Sequence, residues 1–244
     1  MPLEDNDDVF ELVSDNDLKA GDEIAIIYVA TTEADETAGT EASTTYIGMS
    51  TTQNNNNRGQ TLVNANDDGT LKGNNKLQVI TLEAATTTAP ETSEVNWWLN
   101  VGNGYLYAAS SGSNHLKTEV EPDANGNANA AISITEGVAS IVFQGNYTRN
   151  TLRYNSSNEL FSCYDYDATT QKDVKIYRKR TGLPGDANMD GKVTVADVMV
   201  VVNYVIKGAD GVPVFNFKNA NVNGDAAITV SDVMAIVKIV TGQH

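Results

Sequence analysis

Acidic and amide side chains recur at odd spacing in GDANMDGKVTVAD, residues 185–197. If Asp186 is position 1 of a 12-residue loop, oxygen-bearing side chains occupy positions 1, 3, 5, 9 and 12, which are Asp186, Asn188, Asp190, Thr194 and Asp197. Odd positions of such a loop point toward one centre, and Ca²⁺ prefers oxygen ligands arranged in this way. Position 7, Lys192, offers its backbone carbonyl, and Gly191 at position 6 permits the positive φ of a sharp turn. The spacing therefore predicts a calcium loop.

The same pattern returns in NVNGDAAITVSD, residues 221–232. Its corresponding side chains are Asn221, Asn223, Asp225, Thr229 and Asp232, and Ala227 supplies the carbonyl at position 7. The flanking sequences also repeat, since TVADVMVVV begins at 194 and TVSDVMAIV begins at 229. A duplicated loop followed by a duplicated apolar segment is hard to produce by chance, so we expect two calcium sites.

The second loop departs from the calcium-loop pattern at two positions. Asn221 replaces an aspartate at position 1 and removes one negative charge. Ala226 replaces glycine at position 6, where a Cβ costs about 1 kcal/mol or more if φ is positive. We therefore expect calcium to bind the second loop more weakly than the first.

Each loop precedes an apolar segment with helical spacing. One stripe on each predicted helix would form a small core: Val198, Val201, Val202, Val205 and Ile206 on the first, and Val233, Ile236, Val237 and Val240 on the second. The opposite faces are also apolar, through Met199, Val200 and Tyr204 on the first helix and Met234, Ala235 and Ile239 on the second. These faces either pack on the N-terminal region or remain exposed for a partner protein.

Two loops with Asp at position 12, each followed by a helix, resemble the type I dockerin domain over residues 185–243. The resemblance implies that both loops bind calcium through the positions named above and that the domain docks onto a cohesin module. It also places partner choice at loop positions 10 and 11. The residues expected to contact the partner are Val195, Ala196, Met199, Val200, Tyr204, Val230, Ser231 and Met234.

The preceding region is rich in Thr, Asn, Ser and Gly and contains short alternating segments, which predict an all-β domain. The candidate strands are 24–31, 44–50, 76–83, 95–101, 104–110, 139–145, 150–155, 160–164 and 173–179. YIGMSTTQNNNN, YLYAASSGSN and TLRYNSSN begin three similar units, and LQVITLE, AAISITE and VKIYRK follow them. Three units of four strands predict a β-trefoil, and a β-sandwich is the alternative.

The composition shifts near YRKRTGLPGDAN, where Gly182, Pro184 and Gly185 predict a short linker. We therefore predict a flexible acidic N-terminus at 1–17, an all-β domain at 18–181 and a small α-helical domain with two EF-hand-like loops at 185–244. The stretches YIGMSTTQNNNNRG and WWLNVGNGYLYAASSGSNHL also resemble an accessory domain of secreted gut-Bacteroidetes proteins.

Composition excludes several classes of function. The net charge of −16 disfavours binding to nucleic acid, and no apolar run reaches the length of a membrane helix. Two histidines and one cysteine cannot assemble a histidine-based triad or a zinc cluster. Together with the dockerin resemblance, these exclusions lead us to expect a non-catalytic protein whose β domain binds a ligand such as a glycan, while the C-terminal domain docks a cohesin-like partner. The alternatives are an accessory part of a secreted polysaccharide hydrolase and a structural surface adhesin without a cohesin partner.

The first residues, MPLEDNDDVFELVSDND, lack the basic and apolar segments of a signal peptide. The protein is therefore either intracellular or already trimmed. Calcium-dependent docking suits the high calcium concentration outside cells, so we expect an extracellular or cell-surface protein.

Overall fold

The computed structural model describes residues 4–34, 41–85, 96–166, 168, 170–180, 182–212 and 214–242. Of the positions named in the sequence predictions, residues 1–3, Val95, Thr181 and 243–244 lie outside this set. The described residues of 10–64 and 74–179 form one compact unit, and those of 4–9, 65–73 and 180–244 form another. We call them the β unit and the C-terminal unit.

Strands make up the regular structure of the β unit, and this confirms its predicted all-β character. The strands of the described chain are β1 (Asp5–Leu12), β2 (Glu23–Thr32), β3 (Ser43–Gln53), β4 (Arg58–Val63), β5 (Leu71–Asn74), β6 (Ile80–Ala84), β7 (Asn96–Asn100), β8 (Tyr105–Ala108), β9 (Leu116–Glu119), β10 (Ala130–Thr135), β11 (Val138–Phe143), β12 (Arg149–Asn155), β13 (Leu160–Asp165) and β14 (Lys175–Lys179). The nine predicted segments each overlap a strand, AAISITE overlaps β10, and the predictions missed β1, β4, β5 and β9.

Six strands of the β unit pair in a closed antiparallel cycle, in the order β2, β6, β7, β10, β11, β14 and back to β2. The cycle closes through a single bridge between Ala139 of β11 and Val174, the residue just before β14, in which the Ala139 N–H donates to the Val174 carbonyl at 2.8 Å. Three antiparallel hairpins, β3–β4, β8–β9 and β12–β13, follow β2, β7 and β11 along the chain. A strand, a hairpin and a fourth strand therefore recur three times.

Alternate residues of these strands point to one face and form the core of the β unit. Its fully buried members include Ile24, Ile26, Leu82, Leu99, Ile141, Phe143, Leu152 and Cys163. Large apolar side chains from all three repeats therefore meet in one cluster, and their burial supplies the main driving force for folding this unit.

The N-terminal segment differs from the flexible tail that its acidic residues predicted. Asp5–Leu12 forms β1, which pairs with β14 through the register Phe10–Lys179 to Leu12–Tyr177. Phe10 is fully buried, and Val9 and Val13 are nearly so. Burial of these apolar side chains outweighs the weak strand preference of the neighbouring aspartates.

The C-terminal unit contains α1 (Val195–Lys207), α2 (Phe217–Ala220) and α3 (Val230–Thr241), together with a 3₁₀ turn at Ala209–Gly211. Its buried core consists of Ala187, Val201, Ala220 and Ile236, surrounded by partly buried valines. Val205 and Ile206 were predicted in this core, but both are exposed because they lie in the last turn of α1. Within the described residues no helix is both long and apolar enough to cross a membrane.

Phe10→Ala should lower the free energy of unfolding by about 3–5 kcal/mol, because it empties a fully buried position. Leu12→Ala, on the same strand but 41% exposed, is the matched control and should cost less than about 1 kcal/mol. Denaturant unfolding of the full chain measures both. Equal small effects would mean that the N-terminal strand adds nothing to stability.

Candidate metal centre

The first loop encloses the carboxylate of Asp186, which is 1% exposed. The backbone N–H groups of Asp190 and Gly191 each donate to this carboxylate at 3.0 Å. Gly191 has a φ of 82° with open space around its Cβ position, so backbone conformation alone explains the glycine. These bonds curl the loop around the oxygen atoms of position 1.

Asp197 at position 12 links this loop to α1. Its carboxylate is fully buried and accepts from the N–H of Asn188 at 3.1 Å and from the N–H of Thr194 at 2.8 Å. Thr194 is the N-cap of α1, and its hydroxyl accepts from the N–H of Ala196 at 3.1 Å. Thr194 and Asp197 thus form a capping box, a role that our reading of them as calcium ligands missed. The Thr-x-x-Asp spacing could have identified this capping box from the sequence.

The predicted ligands of the first loop form one connected network. The Asp190 N–H donates to Asn188 Oδ1 at 2.9 Å, and the Lys192 N–H donates to Asp190 Oδ1 at 2.9 Å. Among the described residues, none of the carboxylates of Asp186, Asp190 and Asp197 makes an ion pair with Lys or Arg. Burial, followed by the nearby charges of Asp197 and Asp190, raises the pKa of Asp186.

These features fit a divalent cation, because buried carboxylates that repel each other have no Lys or Arg partner in the described part of the chain. No three acidic, histidine or cysteine side chains of the described chain are placed to bind a metal by themselves. A site in this loop therefore depends on amide and backbone carbonyl oxygens as well, as the predicted set of Asp186, Asn188, Asp190, Lys192, Thr194 and Asp197 requires. Hard oxygen ligands of this mixed kind suit Ca²⁺.

The second loop repeats the link between position 12 and the helix. Asp232 is fully buried and accepts from the N–H of Asn223 at 3.4 Å and from the N–H of Thr229 at 2.9 Å. Thr229 caps α3 by accepting from the N–H of Ser231 at 3.2 Å. The N–H of Asp225 donates to Asn223 Oδ1, and the N–H of Ala227 donates to Asp225 Oδ1, both at 2.9 Å.

Position 1 of the second loop is bonded differently. Asn221 donates through Nδ2 to the carbonyl of Asp225 at 2.5 Å, while its Oδ1 is buried without a hydrogen-bond partner in the described chain. The strain predicted at Ala226 is absent, since the left-handed residue of this loop is Gly224 at position 4, with φ 73°. The loop avoids the Cβ penalty because position 6 stays out of the left-handed region. The unpaired oxygen of Asn221 is a fitting ligand for a cation.

The predicted partner-binding residues divide into two groups. Val195 (64%), Met199 (53%), Val230 (63%) and Met234 (54%) are strongly exposed, as are Ala196 and Ser231. We call these six residues the docking patch; they occupy equivalent positions of α1 and α3. Val200 and Tyr204, by contrast, are half-buried: Val200 packs against the helical core, and the Tyr204 ring stacks on Phe215 with centroids 4.1 Å apart. Phe215, in the segment before α2, thus covers the ring of Tyr204.

Asp197→Ala should melt the C-terminal unit at low calcium while the β unit stays folded, because it removes the bonds between loop and helix. The capping loss alone is about 0.5–2 kcal/mol. Thermal unfolding followed by circular dichroism in EDTA should show two transitions, with the lower one shifted down. Ser231→Ala is the control and should leave both unchanged. A single cooperative transition that includes the β unit would contradict the prediction.

Comparisons with curated proteins and with solved structures found no match for the chain. A comparison with family models found one for the C-terminal segment, which contains both loops and the helices that follow them. Residues 184–241 match the model of the dockerin type I domain, and the resemblance predicted from the sequence is thereby confirmed for this segment.

Proposed function

We propose that this chain is a non-catalytic extracellular protein that docks onto a cohesin-type partner when its two loops hold calcium. Type I dockerin domains are docking modules, typically calcium-dependent ones that bind cohesins. The observation that carries the proposal is the exposure of the docking patch on both helices, directly behind buried Asp197 and Asp232. An ordered loop fixes the start of each helix and so positions the patch.

Calcium in this proposal acts structurally. It offsets the repulsion among the carboxylates of the first loop and is coordinated by Asp186, Asn188, Asp190, Asp197, the Lys192 carbonyl and Thr194. Asn221, Asn223, Asp225, Asp232, the Ala227 carbonyl and Thr229 form the second set. The second site is the weaker one, since it has fewer carboxylates and its position 1 lacks the two N–H bonds that Asp186 accepts. Metal binding and loop order are therefore coupled.

The β unit corresponds in this proposal to a β-trefoil domain near residues 18–181, and the docking domain begins near 185. The closed cycle of six strands and the three hairpins support a trefoil over a sandwich, because a sandwich consists of two separate packed sheets. Its proposed role is to bind a ligand, with a glycan as the leading class. If the chain is instead an accessory part of a hydrolase, it should accompany turnover of a polysaccharide. If it is a structural adhesin, it should function without any cohesin.

Asp186→Asn should weaken the tighter calcium site about tenfold or more, because ligand charge tunes the affinity of such loops. Asn221→Asp should strengthen the weaker site for the same reason. Isothermal titration of the full chain with calcium resolves the two sites, and Asp165→Asn in the β unit serves as the charge-matched control. Identical titrations of the chain and both loop variants would contradict the assignment of ligands.

Met199→Glu and Met234→Glu together should weaken binding to a cohesin module about tenfold or more, because buried apolar contacts dominate such interfaces. Val120→Glu, at a position of the β unit that is 77% exposed, is the matched control. Surface-bound cohesin modules in calcium and in EDTA provide the readout. Capture that survives EDTA, or that the two Met variants leave intact, would overturn the docking proposal.

A further inference from the structure

A cavity of about 180 Å³ opens in the β unit where β11 and β12 separate. The two strands pair at Val142–Thr151, and beyond this point the segment 172–174 enters between them. Val174 bridges to Ala139 of β11, and Lys172 bridges to Tyr154 of β12. The cavity lies where β11 and β12 diverge, so its walls come from β10, β11, β12 and the loop that contains Asp173.

The walls are rich in hydroxyl groups. Ser133 of β10 lies opposite Ser140 of β11, and Thr135 lies opposite Val138. Opposite residues of an antiparallel pair share a face, so these side chains all lie on the face away from the apolar core. Thr151, Arg153 and Asp173 also line the cavity, and Arg153 forms an ion pair with Asp173.

Two buried polar atoms of the lining have no hydrogen-bond partner among the residues that the structure describes. Thr151 is 2% exposed, and its Oγ1 has no hydrogen-bond partner in the described part of the chain. Arg153 Nε is likewise buried and unpaired within the described residues. Buried polar groups in folded proteins nearly always have a partner, so a hydroxyl and a guanidinium N–H without one indicate a polar ligand.

The threefold recurrence of the strands allows this position to be compared with its two equivalents in the same chain. Ile24, Trp97 and Ala139 are equivalent, since each pairs with strands on both sides of the cycle. The next residues and their cross-strand partners are Ala25 with Tyr177, Trp98 with Glu83, and Ser140 with Ser133. Two of these three equivalent pairs thus contain an aromatic ring, Tyr177 or Trp98, and the third contains two serines.

The rings of Tyr177 and Trp98 pack against further aromatic side chains. Tyr177 is 4% exposed and meets Tyr46 edge-on at 6.4 Å between centroids. Trp98 meets Tyr105 at 5.9 Å and donates from Nε1 to Asn129 Oδ1 at 2.6 Å. The third repeat therefore leaves a space that suits one ring, bordered by hydroxyls instead of aromatic edges.

We propose that this cavity binds a single pyranose residue of a glycan. Its volume is below the roughly 300–1,000 Å³ of sites for drug-sized molecules, so one ring is the largest occupant that fits. Arg153 and Asp173 cancel each other's charge while offering donors and acceptors, and the net charge of −16 disfavours an anion. Ring hydroxyls would pair with Thr151, Arg153 and Asp173, and Val138 at the rim (40% exposed) would contact the apolar face of the sugar.

This site rests on the proposed ligand-binding role of the β unit and is independent of docking. The test titrates the full calcium-loaded chain, labelled with ¹⁵N, with methyl glycosides of glucose, galactose, mannose and N-acetylglucosamine. At least one should produce saturable shifts at Ser133, Ser140, Thr151 and Arg153. Thr151→Val should weaken that binding about tenfold, and Asp173→Asn should also weaken it. Thr44→Val, which removes an exposed strand hydroxyl elsewhere, should leave the affinity unchanged.

Absence of saturable shifts with every glycoside would overturn the sugar site, as would equal affinity of the chain and the Thr151→Val variant. Saturable shifts with phenol or indole in place of the glycosides would overturn the ligand class. The spectra themselves report whether each variant is folded. Calcium-dependent capture by cohesin, measured on the same samples, shows whether the docking proposal stands when the sugar site does not.

Discussion

Two buried carboxylates hold the C-terminal unit together. Asp197 and Asp232 each bond to the third residue of a loop and to the N-cap residue of the following helix. Each one therefore fixes where its loop closes and where its helix starts. Since both are fully buried, the loss of either would leave backbone N–H groups without partners in a small core.

The same carboxylates explain why a metal belongs in these loops. A carboxylate that is buried beside other acidic groups is stabilised by N–H donors, but those donors do not neutralise its charge. In the first loop Asp186, Asp190 and Asp197 have no Lys or Arg partner among the described residues, so the calcium ion that we propose there would supply the missing charge. The docking patch begins at Val195 and Val230, one residue after each N-cap, and its position therefore depends on loop order.

The sequence predicted the C-terminal segment and the strands well where a periodic signal was present. The duplicated spacing identified the segment that matches the dockerin model, and alternation identified the first strand of each hairpin and the fourth strand of each repeat. Prediction from the sequence failed where tertiary packing outweighs the structural preference of the local residues. The aspartates around Val9 and Phe10 concealed a strand, and a helical pattern cannot show that Phe215 stacks on Tyr204. Likewise, the loop avoids strain at Ala226 by a change of backbone conformation, which residue identity alone does not reveal.

The β unit shows how a repeated strand arrangement can acquire one distinct site. Equivalent positions carry Tyr177, Trp98 and the serine pair Ser133–Ser140. An aromatic ring therefore occupies this position twice, and at the third position the two small serines leave a space. The strand pairing places segment 172–174 between β11 and β12. The side chains around this segment then determine whether the space beside it is filled or forms a cavity. This separation of scaffold and site is common in folds that carry binding functions.

The central claim is that calcium orders the two loops and thereby positions the docking patch. Residue-resolved NMR spectra of the full ¹⁵N-labelled chain, first in EDTA and then with stepwise calcium, test it most directly. We predict large chemical-shift changes at residues 186–197 at low calcium and at residues 221–232 at higher calcium. The signals of Val195 and Met199 should change together with the first loop, and those of Val230 and Met234 together with the second. Spectra that are the same in EDTA and in saturating calcium would contradict it.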